Sequence, residues 1–228
     1  YYLQVASFIL INIILGISIY ITLASGQLSL GNAGFMAIGA YTTALLTVNL
    51  EWPLIAGVLA GTLFAGMLGL LVGIPALRLH GIFLAISTGG VGERFRVILA
   101  NTESLTKGAV GVFRLPKMGR EILGVLQGVG FDPAMLGLKT NQFVFLSIFL
   151  VLLVIDIFIV WFFVRQNQSR VGRAFSAIKM DEEAAEAMGI NITYYKVLSF
   201  TQGAILAGFA GTLYAHVLSY ISPSDFSY

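Results

Sequence analysis

Of 228 residues, 57% are hydrophobic and 11% are charged, against about 25% charged in an ordinary soluble domain. A soluble globular fold is excluded and an integral membrane protein is indicated. The net charge of +2 is too small to argue for nucleic acid, and the absence of cysteine rules out a disulfide framework or a thiolate metal site.

The first apolar run, 3–24, is long enough to span, because about 20 residues rising about 1.5 Å each cover a hydrocarbon core of about 30 Å. Small polar residues then break the pattern at Ser25-Gly26-Gln27-Leu28-Ser29-Leu30-Gly31-Asn32. The next run, Phe35–Leu50, is short for a full crossing, at roughly 24 Å as a helix. A short segment beside a Gly/Ser/Asn break suggests a discontinuous helix, and non-helical backbone at membrane depth is tolerated only inside protein or beside water. Gly26, Gln27, Ser29, Gly31 and Asn32 are therefore expected to border a translocation path. A plain turn outside the membrane is the alternative.

Pro53–Leu77 spans again and carries Gly57-x-x-x-Gly61 and Gly69-x-x-x-Gly73, spacings that let helix backbones approach closely. Arg78 and His80 mark its interfacial exit. Gly81–Leu99 is apolar until Thr88-Gly89-Gly90-Val91-Gly92-Glu93. Each glycine there lowers helix stability by about 1 kcal/mol relative to alanine, which predicts an unwound stretch or a very close helix contact. Gly89, Gly90 and Glu93 join the candidate path, with Arg94 or Arg96 as an internal partner for Glu93. A snorkelling interfacial cluster is the competing reading.

The longest stretch without a span is 101–142, with five basic residues and a middle, Arg120–Phe131, that reads as a short interfacial piece. Phe143–Val164 spans, with Asp156 inside it. A carboxylate near mid-span costs about 2.5–3.5 kcal/mol on insertion scales, so it faces protein or water. The final span, Val197–Leu218, carries Ala204-x-x-x-Gly208 and Ala207-x-x-x-Gly211, and His216 is grouped with Tyr214 and Tyr220 as an interfacial belt.

Between these two spans lies SRVGRAFSAIKMDEEAAEAMGI, residues 169–190. It predicts a helix from about Arg170 to Met180 and a second over about 182–188. Asp181 is the N-cap of the second, Glu182 and Glu183 lie in its first turn, and Gly189 is its left-handed terminator. Ala184, Ala185 and Met188 give it a small apolar face suited to a partner's groove. The plainer reading is a solvated loop.

The order Glu183-Ala184-Ala185 followed by Gly189 resembles the EAA loop of ABC-importer permeases. The wider stretch, with GQLSLGNAGFMAIGAY at 26–41, GIPALRLHGIFLAISTGGVGE at 73–93 and ISPSDF at 221–226, resembles the LivM-type permease subunits of branched-chain amino acid importers. The resemblance covers most of the chain and is weakest over about 105–142.

The apolar runs give an all-α polytopic bundle over 1–228, with about five full spans and one or two broken helices, as in an ABC-importer permease. The resemblance implies a cytoplasmic coupling loop at 165–196, and alternation of the spans then makes 101–142 an external loop region. Within the coupling loop, Arg170, Gly172, Asp181, Glu182, Glu183, Ala184, Ala185, Met188 and Gly189 would serve ATPase coupling. The implied partners are a homologous second permease, two ABC ATPases, an extracytoplasmic solute-binding protein and the lipid of the bacterial inner membrane. Branched-chain amino acids are the implied substrate, with urea or short amides next.

Asp156 would pair with a helix of the second permease. The chain does not begin with Met and opens directly into an apolar run, which reads as an internal fragment of a longer permease. Alternation of the spans leaves six basic residues on the 165–196 side and five on the other. Charge alone therefore does not orient the chain.

There is no G-x-x-x-x-G-K-[ST], hence no P-loop, and Mg-ATP is expected only on partner subunits. No Ser-His-Asp constellation or metal-ligand spacing occurs. An ion-coupled secondary transporter is the runner-up, with only Asp156 and Glu93 to supply coupling carboxylates.

Overall fold

The central pair of helices is α2 (Asn32–Asn49) and α8 (Ile192–Leu218). The computed structural model describes residues 2–76, 81–102, 140–218 and 220–226, with positions 108, 111–113, 115, 118, 119 and 121 between them. Around the central pair stand α1 (Tyr2–Ala24), α3 (Leu54–Ala76), α4 (Ile82–Asn101) and α5 (Thr140–Asn167). Two short helices, α6 (Arg170–Met180) and α7 (Glu182–Ala187), connect α5 to α8.

Four of these, α1, α3, α5 and α8, are long and apolar enough to cross a membrane by length and composition. The most apolar window of α8 is 61% buried, against 33% for α1 and 28% each for α3 and α5. α8 is thus the inner helix and the other three are peripheral. Their outward stripes, such as Ile55, Leu59, Leu63 and Met67 on α3, are exposed, as a lipid-facing surface requires.

The small residues of the sequence explain the packing. A Cβ on Gly39 of α2 would overlap the Gly208 carbonyl of α8, and one on Gly69 of α3 would overlap the Ala204 side chain. Gly57 and Gly61 of α3 lie against Thr47 and Thr43 of α2. The two Gly-x-x-x-Gly pairs of α3 thus serve different neighbours, the first α2 and the second α8. In a bilayer, with no hydrophobic drive between helices, such close backbone packing is a principal source of association.

The sequence suggested an unwound or closely packed stretch at Gly89–Gly92. Here α4 runs unbroken, and Gly92 makes a close contact with Gly34 of α2. Five full spans were expected; by length and composition four of the described helices qualify, and α4, at 20 residues, is not among them. Glu93, Arg94 and Arg96 lower its apolarity.

At one end of the bundle, β1 (Val112–Phe113) and β2 (Tyr220–Ile221) pair antiparallel, Val112 opposite Ile221. A 3-10 turn over Pro223–Phe226 follows, capped by the Asp225 carboxylate, which accepts the Ser222 amide at 2.8 Å. Phe226 packs on Tyr41 and Tyr214. His216, expected in an interfacial belt, is instead 1% exposed, because it lies on the inner side of α8. Arg78, His80 and the expected interfacial piece at Arg120–Phe131, Glu121 excepted, lie outside the described residues.

Candidate functional site

The link from α5 to α8 is a set of helix caps. The Ser169 hydroxyl opens α6 by accepting the Val171 amide at 3.1 Å. Gly172 closes so tightly on Asn167 that a Cβ there would overlap the Asn167 carbonyl. α6 buries Gly172, Ala174, Phe175 and Ile178, with Phe175 edge-on to Tyr195 of α8 at 6.2 Å. Arg170 is exposed at its start.

Asp181 ends α6 and begins α7. Its extended backbone breaks the helix, and its carboxylate accepts the Ala184 amide at 3.0 Å. At the other end Gly189 has φ +82°. Its amide donates to the Glu186 carbonyl at 2.8 Å, and the Ile190 amide donates to the Ala185 carbonyl at 3.1 Å. That double closure is a Schellman motif, which satisfies carbonyls otherwise left orphaned. The Asn191 side chain then opens α8 by accepting the Tyr194 amide at 3.0 Å.

The apolar face of α7 divides differently from the sequence expectation. Ala185 is 1% exposed, while Met188 is 72% exposed, and Glu183, Ala184 and Ala187 are exposed as well. Ala185 therefore belongs to the chain's own interior, because it points back toward the bundle. The free face is Glu183, Ala184, Ala187 and Met188. Glu182 also turns inward, and its carboxylate pairs with the Lys196 ammonium of α8 at 2.6 Å.

The α1–α2 link meets this element. From Ser25 to Leu30 burial alternates, with Ser25, Gln27 and Ser29 inside and Gly26, Leu28 and Leu30 outside. Ser25 and Gly26 close α1 in a turn, with the Gln27 backbone amide donating back to the Thr22 carbonyl at 3.0 Å, and the alternation over 27–30 is that of irregular chain with one side turned inward. Its inner side is tied to α8. The Ser25 and Ser199 hydroxyls share a hydrogen bond of 2.7 Å, and the Gln27 side-chain Nε2 donates to the Lys196 carbonyl at 3.0 Å. Gly26, at φ +78°, lies against the Cα of Lys179.

The far end of the link is tied to α4. The Leu30 amide donates to the Thr88 hydroxyl at 3.1 Å, Gly31 lies against the Thr88 carbonyl, and Gly89 touches the Leu30 side chain. The two stretches read as path candidates, 26–32 and 89–93, are thus neighbours. Gly90 is exposed. Glu93 pairs with Arg96, whose Nε reaches both carboxylate oxygens at 2.9 Å. Asn32 and Gln27 are buried, so they pack inside this chain.

Asp156 stands apart from this site. It is 5% exposed, on the face of α5 that carries the core residues Leu152 and Ile159. Neither of its oxygens has a hydrogen-bond partner among the described residues. It is enclosed by its own chain, so it does not present itself to a helix of another subunit as expected. No cluster of three metal-ligating side chains occurs among the described residues.

Lys196, Ser199 and Thr88 were not singled out from the sequence. The available signal was Lys196 itself, a cation directly before the last apolar run, with Glu182 across a short link.

These features define a multi-pass α-helical membrane protein with a short, doubly capped helix in the link between its last two long helices. The family described as branched-chain amino acid transport system / permease component matches residues 1–228, and the chain belongs to that family. It is similar to the high-affinity branched-chain amino acid transport system permease protein LivM of Escherichia coli strain K12, at 36% identity over 99% of this chain and 55% of the relative. The LivM protein of Salmonella typhimurium strain LT2 is also 36% identical, over the same shares of each chain. The chain spans about half the length of the curated relatives it matches. No solved structure matches it.

Proposed function

We propose that this chain forms the membrane-spanning part of an ABC importer that carries branched-chain amino acids across a bacterial inner membrane by alternating access. The observation that carries the reading is α7. It is a six-residue helix capped at both ends by side-chain and Schellman contacts, with small and flexible apolar residues, Ala184, Ala187 and Met188, turned out of the bundle. A helix so short has little stability of its own, so two caps make sense where its position must be held. Its exposed face suits a groove in a partner.

In this reading the partner is an ABC ATPase, two of which bind and hydrolyse Mg-ATP outside this chain. A second, homologous permease and an extracytoplasmic binding protein complete the assembly. The link carrying α6 and α7 faces the cytoplasm, and 101–142 faces outward. Closure of the ATPases moves α7, and the spans tilt to change the open side. The neighbouring stretches 26–32 and 89–93 border the path.

The test is reconstitution of the full-length permease with its operon partners in proteoliposomes. ATP-dependent uptake of radiolabelled leucine is expected. Uptake driven by an ion gradient without ATP would overturn the reading in favour of a secondary transporter.

A further inference from the structure

Resting on that reading, we propose that the Glu182–Lys196 ion pair is the brace that makes α7 and α8 move as one body and carries the motion into the α1–α2 link. The covalent connection between α7 and α8 runs through Gly189, whose φ is +82° and around which a Cβ would meet nothing within 4 Å. The Schellman bonds fix Gly189 to α7, so this single connection is all that the backbone supplies between the two helices. Pushed from outside, α7 turns about it unless a second contact ties α7 to α8.

Glu182 and Lys196 lie on opposite sides of that connection, one at the start of α7 and the other in the second turn of α8. Their contact at 2.6 Å closes a triangle across the link. The Lys196 side chain is only 8% exposed and that of Glu182 38%. The ammonium therefore sits where breaking its pair leaves a buried charge uncompensated, which is strongly unfavourable.

Beyond the brace, the same residue is the first contact of the α1–α2 link. The Lys196 carbonyl accepts from Gln27 and from the Ser199 hydroxyl, and Ser199 meets Ser25. Leu30 then bonds to Thr88 of α4. A continuous chain of contacts runs from the docking helix through Lys196 to α2 and α4. A contact path is not in itself coupling; the ion pair across the α7–α8 connection is what ties the two helices together. Both partners are positioning residues.

The experiment uses the full-length permease in its complete assembly, with leucine-loaded binding protein as the probe. Lys196→Met is expected to keep the ATPase subunits in co-purification and to hydrolyse ATP, while leucine moved per ATP falls at least tenfold. Glu182→Gln is expected to lose leucine uptake to at least the same degree. The reciprocal swap, Glu182→Lys with Lys196→Glu, is expected to recover at least a third of wild-type uptake. Should Lys196→Met not fold, Glu182→Asp keeps the charge but shortens the brace, and is expected to lower leucine per ATP severalfold with the assembly intact.

Wild-type leucine per ATP in Lys196→Met, or in Glu182→Asp where that variant is used, overturns the brace. So does loss of ATPase co-purification in Glu182→Gln alone, which would make Glu182 a docking residue. A wild-type assembly without ATP-dependent uptake overturns the importer reading itself, separately from the brace.

Discussion

Gly39 of α2 and Gly208 of α8 cross backbone to backbone, with no room between them for a methyl group. The crossing sets how closely the two central helices approach. Gly39→Ala should therefore cost about 1–3 kcal/mol, the usual penalty of overpacking, and lower the unfolding temperature in detergent. Gly16→Ala is the control, since a Cβ on Gly16 of α1 meets nothing within 4 Å. It should be neutral or stabilising by up to about 1 kcal/mol. Equal effects of the two substitutions would show that the crossing is not tight.

Ala184 and Ala185 are adjacent in sequence but should respond oppositely. Ala185→Trp forces an indole into the chain's own interior and should reduce the yield and thermal stability of the isolated permease. Ala184→Trp should leave the permease as stable as wild type and reduce co-purification of ATPase subunits. If Ala185→Trp is stable while ATPase is lost, then α7 docks by the face that is buried here.

Gly189 is conformationally demanding but sterically open. Gly189→Val should cost about 1–2 kcal/mol, the penalty for a left-handed residue with a Cβ. Gly189→Asn should cost less, because asparagine tolerates that region. Faster hydrogen exchange confined to 182–190 would report the loosened helix, and exchange unchanged in Gly189→Val would refute the strain.

Asp156 is buried, and its carboxylate has no hydrogen-bond partner among the described residues. Asp156→Asn should keep yield, monodispersity and leucine uptake near wild type. Asp156→Lys should fail to assemble, since no described group awaits a cation there. Loss of uptake in a stable Asp156→Asn protein would instead point to proton coupling at this position.

The absence of cysteine makes the orientation directly testable. Lys179 lies against Gly26, and Trp52 is exposed on the link between α2 and α3, at the other end of α2. An impermeant thiol reagent applied to intact cells should label Trp52→Cys and spare Lys179→Cys. The reverse pattern would invert the proposed topology.

Much of the fold and site followed from local rules. Apolar run length located the spans because a bilayer imposes a minimum helix length. Asp181 and Gly189 marked the ends of α7 to within a residue or so because N-caps and left-handed terminators are governed by a few neighbouring backbone groups. The Gly-x-x-x-Gly spacings announced close helix contacts for the same reason, since small side chains at that period leave one face bare.

Only the tertiary structure decided which partner each face received. Periodicity cannot tell that Gly57 and Gly61 meet α2 while Gly69 and Gly73 meet α8, or that Ala185 points inward and Ala184 outward. It could not bring Gln27 to Lys196, or Thr88 to Leu30, because those contacts join residues far apart in the chain. The inward turn of Glu182 was hidden for the same reason. A carboxylate in a helix's first turn satisfies the dipole whichever way it faces, and only the buried ammonium of Lys196 selects the direction.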